Sequence, residues 1–287
     1  MDLTKAIVEL YKKTATELPE DVVQAITSAK DKEDNKTAIE IISDILKNID
    51  LAKQRKKPIC QDTGTPIFYV HYPRTFSQKD VKENIIKATE IATKDVPLRP
   101  NAVDPIENKN SGNNIGIDFP VIHFEEHERD FLEITLMLKG GGSENISMEF
   151  KLPDKEIFAG RDIDGIKKCI INAMFKAQGR GCSPNILGVG IGGLKDKTIE
   201  LAKKQLLRKL DDNNKDSTLN KIEKDTLTKI NDLGIGPLGL GGKTTALAVK
   251  IGKMHRHTAS FFVAVSFMCW ACRRKSLIIK DSKITIS

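Results

Sequence analysis

Two hydrophobic periods alternate along this chain, and their alternation leaves few folds open to it. From Thr4 to Arg55 apolar residues recur at three- and four-residue spacing (Ala6, Ile7, Leu10, Tyr11; Val22, Val23, Ile26; Ala38, Ile41, Ile42, Ile45, Leu46), the period of helices with one buried face. Pro19 and the polar cluster Asp31–Asn35 divide this stretch into three helices. The period changes to that of a strand at Ile67-Phe68-Tyr69-Val70 and returns to helix over Ser77–Lys94. Val121–Phe124 and Phe131–Lys139 read as strands joined through the acidic turn Glu125–Glu128, with His123 and His127 on a strand face and its loop and no ligand role. Asp162–Gln178 reads as a helix, Asp162 its N-cap and Gly179 just past its end. Cys169 falls on its apolar face and reads as core. Lys195–Leu210 and Leu219–Leu233 are polar-faced helices, and Thr244–Ile251 is strand-like. With no repeat and no long linker, interleaved elements predict one α/β domain over residues 1–287 with a mixed sheet, residues 1–56 being its N-terminal helical part.

At 287 residues such a domain can bury a sizeable core. The net charge of +7 is carried by lysines interleaved with acids along helices, without a basic stripe, which argues against a nucleic-acid footprint. The chain opens on a charged amphipathic helix, and no apolar run approaches the roughly 20 residues of a membrane span. A cytoplasmic protein is expected, so its five cysteines should be reduced thiols.

Three of those cysteines stand at junctions between elements. Cys60 lies in Lys57-Pro58-Ile59-Cys60-Gln61-Asp62-Thr63-Gly64, between a helix and a strand. Cys182 lies in Gly181-Cys182-Ser183-Pro184-Asn185, and Cys269 in Cys269-Trp270-Ala271-Cys272-Arg273-Arg274. Zinc sites usually pair thiols at short spacing, and only Cys269 and Cys272 do so. Three widely spaced thiols suit an iron–sulfur cluster better: four thiolates would make an electron carrier, whereas three would leave one iron open as a Lewis acid. Arg99, between Pro97 and Pro100, reads from spacing alone as a surface loop residue. Gly140-Gly141-Gly142 reads equally as a flexible loop or as backbone able to approach a ligand.

Two nucleotide motifs are imitated. Gly188-Val189-Gly190-Ile191-Gly192-Gly193 has the G-x-G-x-x-G spacing, but the acids about 20 residues on, Asp211 and Asp212, follow a helix instead of a second strand. Gly239–Thr244 resembles a P-loop, yet Pro237 occupies the position of its first glycine and a strand-like segment follows.

The motifs KPICQDTG (57–64), PLRPNAV (97–103), GGGSEN (140–145), GCSPNILGVGIGG (181–193), LGIGPLGLGGK (233–243) and CWACRR (269–274) together resemble the class I, iron–sulfur-dependent fumarase and L-tartrate dehydratase family. The resemblance is to the alpha subunit, equivalent to the N-terminal part of the single-chain enzymes, and runs in order over nearly the whole chain. It implies glycine-rich loops around a 4Fe–4S cluster held by Cys60, Cys182 and Cys269, with Cys272 a nearby thiol that departs from the family pattern. It implies substrate contacts from Gln61, Asp62, Arg99 and Gly141, with Asp62 and His257 as catalytic residues and Asp62 as the acid. The implied activity is reversible hydration of fumarate to L-malate. L-tartrate dehydration, or a non-catalytic iron–sulfur electron-transfer or binding module, is the alternative. No base is evident, so a beta subunit should bring it with further carboxylate-binding residues, in a heterotetramer of two alpha and two beta chains. Apolar surface around Phe261–Trp270 is expected to be covered in that pairing.

Overall fold

The computed structural model describes residues 2–281 and 283–287. Its elements follow in chain order: α1 (Leu3–Thr16), α2 (Glu20–Lys32), α3 (Lys36–Arg55), β1 (Thr65–Tyr72), α4 (Gln78–Asp95), β2 (Val121–Glu126), β3 (Leu132–Lys139), α5 (Gly141–Asn145), β4 (Met148–Lys151), α6 (Ile163–Ala177), β5 (Asn185–Ile191), α7 (Lys195–Gln205), α8 (Ser217–Asn231), a 3-10 turn at Pro237–Gly239, β6 (Ala246–Lys253), β7 (Phe262–Met268), β8 (Arg273–Lys280) and β9 (Lys283–Ile286). The expected α/β class and mixed strand directions are present. The strands form two mixed sheets where the sequence suggested one, because the chain folds into two compact units that exchange segments. The first comprises Met1–Pro19, Lys47–Gly141 and Ala271–Ser287, and the second Glu20–Leu46 and Gly142–Trp270.

In the first unit the sheet order is β2-β1-β3-β8-β9. α4 is the crossover that makes β2 parallel to β1, while β3 and β8 run antiparallel. β2 and β3 are therefore not a hairpin, although only a short acidic turn separates them: β1 lies between them. A helical crossover permits this, since parallel neighbours need a long connection. Alternate residues of β3 (Leu132, Ile134, Leu136, Leu138) meet Phe68 and Val70 of β1 and the apolar stripes of α1 and α4 in one core. Within it the Tyr11 hydroxyl and Thr89 Oγ1 share a hydrogen bond of 2.7 Å, and burial pushes the phenol's pKa well above its usual value despite that bond.

In the second unit the order is β4-β7-β5-β6, with β5 parallel to β6 and antiparallel to β7. Leu187, Val189 and Ile191 of β5 join α6 and α8 in one core. The opposite face of β5 carries Gly188 and Gly190 against α7. A Cβ at Gly188 would lie 2.1 Å from the Ala202 carbonyl oxygen, and one at Gly190 2.1 Å from that of Thr198. The first two glycines of the dinucleotide-like motif are thus contact points between a strand and a helix, and Gly192 and Gly193 lie against Met254. The P-loop-like segment is likewise structural: Glu33 accepts the backbone N–H of Lys243 at 2.7 Å, Asp34 pairs with the Lys243 ammonium, and strand β6 follows.

Phe261–Trp270 does not offer the expected apolar surface. β7 is an interior strand with Val263, Ala264, Val265 and Phe267 fully buried, because β4 and β5 flank it. Cys169 is in the core as expected; burial, with help from Asp154, pushes its thiol up to about 12. The strands that the sequence does not announce have distinct reasons: β4 and β9 alternate over only four residues each, β8 opens on four polar residues, and β5 and β7 are nearly continuous apolar or glycine runs without a strand period. Among the described residues, no helix is long and apolar enough to cross a membrane.

The contact between β5 and α7 generates a test. Gly190→Ala should destabilise the protein by about 2–3 kcal/mol, since backbone blocks the new methyl, and a urea midpoint lowered at unchanged m-value is the expected observation.

Candidate functional site

In the first unit, three chain segments meet at one end of the sheet, where Thr65 pairs with Lys139 and Leu138 with Arg273. The loop carrying Cys60, Gln61 and Asp62 enters β1 there. Its last residue, Gly64, has φ +85°, and a Cβ on it would meet the Leu138 carbonyl carbon at 2.8 Å, so only glycine lets the loop lie against β3. Asp62 ties the segments together. Its Oδ1 accepts the Gly64 N–H at 3.0 Å and its Oδ2 accepts the Gly141 N–H at 2.8 Å. Arg273, 1% exposed at the start of β8, donates from Nη1 to the Asp62 carbonyl oxygen at 2.7 Å. The structure thus brings Asp62 and Gly141 together, and in it the Gly141 N–H serves Asp62. Each carboxylate oxygen retains a second lone pair, open to a proton or a ligand donor.

Arg99 is exposed on the same unit, and its backbone is held firmly. Its N–H donates to Thr63 Oγ1 at 3.1 Å, and its carbonyl accepts from Asn114 Nδ2 at 3.2 Å. Asn101 Nδ2 donates to the Gly64 carbonyl at 3.1 Å, binding the proline-rich arm to the cysteine loop. The result is an open pocket of about 520 Å³ lined by Pro58, Cys60, Gln61, Thr63, Pro97 and Arg99. Cys60 is half-buried and Gln61 exposed. Here a thiol, an amide and a guanidinium line one open space. The polar residues that hold it, Asn101, Asn114 and Arg273, escaped the sequence reading, because nothing in their spacing marks long-range partners.

In the second unit the antiparallel register pairs Ile186 with Met268. Cys182 precedes β5 and Cys269 follows β7, so pairing brings the two cysteine loops to the same sheet end. The Trp270 N–H donates to the Cys182 carbonyl at 3.3 Å. Ser183 Oγ donates to the Gly236 carbonyl at 2.7 Å, and the Leu238 N–H to the Ser183 carbonyl at 2.9 Å, anchoring the Cys182 loop to the glycine-rich segment. The fully buried Asn185 bridges both cysteine loops through Nδ2.

His257 lies elsewhere. Its loop connects β6 to β7 at the opposite sheet end, where the Gly193 N–H donates to the His255 carbonyl and Arg161 holds the Thr258 and Ala259 carbonyls. A seven-residue strand puts that end roughly 20 Å from the cysteine loops. His257 is exposed, and its Nδ1 accepts the Ala259 N–H at 3.1 Å. The second unit therefore brings Cys182 and Cys269 together and does not bring His257 to them.

All five cysteines are thiols, and accessibility sorts them: Cys182 is exposed, Cys60 and Cys269 are half-buried, and Cys169 and Cys272 are buried. Soft thiolates on accessible loops are the donor chemistry of an iron–sulfur cluster. Cys182 and Cys269 fit it as a pair, and Cys60 offers the same chemistry in the first unit. Among the described residues no group of three or more His, Cys, Asp or Glu side chains converges as a site for a metal ion.

Comparison with known proteins agrees along the length of the chain. Residues 4–278 match the family model described as fumarate hydratase (fumerase). A protein of Geobacillus stearothermophilus described as a class I fumarate hydratase is 46% identical over 276 residues, which cover 95% of this chain and 54% of that protein. This chain thus spans about half the length of that relative. A Methanocaldococcus jannaschii protein described as an L(+)-tartrate dehydratase subunit alpha is 38% identical over 290 residues, 99% of this chain and 100% of the relative. The L(+)-tartrate dehydratase subunit alpha of Escherichia coli is 30% identical over 96% of this chain and 90% of its own length. Hydratase and dehydratase name the two directions of one reaction class. The chain belongs to the fumarate hydratase (fumerase) family of hydro-lyases.

Proposed function

We propose that this chain is the alpha subunit of an iron–sulfur hydro-lyase that interconverts fumarate and L-malate together with a separate beta subunit. The observation that carries the proposal is the family match over 4–278, in which the accessible cysteines are the three expected as ligands. Cys60, Cys182 and Cys269 would hold a 4Fe–4S cluster. Burial of Cys272 supports Cys269 as the third ligand. With three thiolates, such a cluster supplies an open Lewis-acid position for a substrate oxygen.

The chain's own residues would do the rest of their share. Arg99, exposed on an arm whose backbone is pinned, would hold one substrate carboxylate through its planar fork. Gln61 lines the same pocket and would orient the substrate. Asp62, two residues after Cys60 and braced by Gly64 and Gly141, would carry the proton that accompanies loss of hydroxide, on the lone pair its backbone bonds leave open. His257 has no support in this chain's geometry as a partner of Cys182 and Cys269. A base for the adjacent carbon and a cation for the second carboxylate would come from the beta subunit, in an assembly of two alpha and two beta chains. The names of the two relatives that this chain covers almost fully favour a partner, since both are described as subunit alpha.

Fumarate is the substrate proposed because the more similar of these relatives is described as a fumarate hydratase. L-tartrate is the second reading, favoured by end-to-end correspondence with a tartrate dehydratase alpha subunit. Anaerobic mixing of the iron-loaded chain with its candidate beta subunit, assayed on both substrates, decides between them. Turnover of fumarate in the mixture and none by either chain alone is expected. Full activity of this chain alone would overturn the two-subunit assignment.

Two substitution series test the residues. Cys60→Ser, Cys182→Ser and Cys269→Ser should each abolish stoichiometric iron and the cluster's broad visible absorption, whereas Cys169→Ser and Cys272→Ser should retain both. Arg99→Lys keeps the charge but loses the fork, and should raise KM about tenfold, the worth of a lost charge-assisted bond. An unaltered KM returns Arg99 to the role of a loop residue.

A further inference from the structure

We infer that Asn185 is a positioning residue for the Cys182 and Cys269 thiols, its carboxamide tying together the two loops that carry them. The side chain is fully buried at the first position of β5. Its Nδ2 donates to the Gly181 carbonyl at 2.9 Å and to the Met268 carbonyl at 3.3 Å. Each acceptor belongs to the residue immediately before a cysteine, so one nitrogen orients the backbone entering both. The bond from the Trp270 N–H to the Cys182 carbonyl closes a second tie across the same pair of loops.

Chemistry selects the residue. A carboxamide supplies two N–H groups on one atom. Aspartate would set a carboxylate against two carbonyl oxygens, and alanine would leave both carbonyls short of a donor. The ladder between β5 and β6 skips a residue between Asn185 and Ile186, the kind of irregularity that re-aims a side chain. Asn185 Oδ1 is buried without a hydrogen-bond partner. An unsatisfied buried acceptor costs stability, so packing alone does not account for asparagine here, whereas holding two thiol loops does.

The inference rests on the proposed ligand role of Cys182 and Cys269, and its test reads the thiols with and without iron. The reduced, iron-free full chain is treated with phenylarsine oxide, which bridges two thiols held close together, and mass spectrometry measures bridging of Cys182 to Cys269. In Asn185→Ala and Asn185→Ser, bridging should slow about tenfold, the effect expected when bonds worth about 1.4 kcal/mol are lost. Single alkylation of Cys182 should keep its wild-type rate. Val189→Ala, a core truncation in the same strand, should lower stability without slowing the bridge. Asn185→Ser keeps one short donor and carries the test if the alanine variant does not fold. Unchanged bridging in the folded Asn185 variants, or equal slowing in Val189→Ala, overturns the inference. Anaerobic loading with iron and sulfide separates the two readings. A wild-type chain that bridges its thiols yet takes up no iron overturns the cluster assignment and leaves the positioning role standing.

Discussion

The antiparallel pairing of β5 with β7 is the constraint from which the second unit's chemistry follows. Seven residues of β5 are buried on both faces, and the ladder places Ile186 opposite Met268. A slip by one residue would turn the buried set of either strand to its other face, so register is strongly specified. That same register delivers Cys182 and Cys269 to one sheet end. It also carries His257 to the other end, through the loop that must connect β6 to β7. Packing thus decides which reactive groups share a neighbourhood.

The first unit reaches its arrangement by polar ties. Asp62 spans the glycine turn and the start of α5, Arg273 supports the Asp62 carbonyl from β8, and Asn101 and Asn114 hold the proline-rich arm beside Thr63 and Gly64. Hydrogen bonds of this kind, all but the one from Gly141 part-buried, add little net stability singly, but a missing partner is costly. They therefore specify one loop geometry more than they strengthen the fold. The pocket containing Cys60, Gln61 and Arg99 is shaped by groups that do not line it, with Thr63 the exception.

Ionic groups away from these loops have structural work. Glu223, nearly buried on α8, accepts from Arg208 at 2.7 Å, Asn214 at 2.7 Å and the Ile251 N–H at 2.7 Å. Lys250, 4% exposed, bonds Asp212 at 2.7 Å. Burial alone would raise the Asp212 carboxyl, but its bonds to Arg208 and Lys250 outweigh that effect and hold it below the ordinary carboxylate range. A paired network of this sort answers the desolvation each member suffers. It also explains why Asp212, at the distance a ribose-binding acid would need, is committed to the fold.

The sequence by itself determined the long helices, strands β1, β2, β3 and β6 and the α/β class, because hydrophobic period and capping residues are local signals. Ser77 and Asp162 cap the helices they precede, and Cys169 takes its place on a buried stripe. It also marked Cys60, Cys182 and Cys269 as unlike Cys169, since they stand at junctions between elements, the first two near glycine and proline. Tertiary structure alone decided that the strands form two sheets, that β1 separates β2 from β3, and that β7 is interior. It alone made Asn185 and Arg273 braces, and carried His257 away from Cys182 and Cys269. The physical reason is that strand order and long-range hydrogen bonds join residues many positions apart, and no local period records which distant partner each will meet.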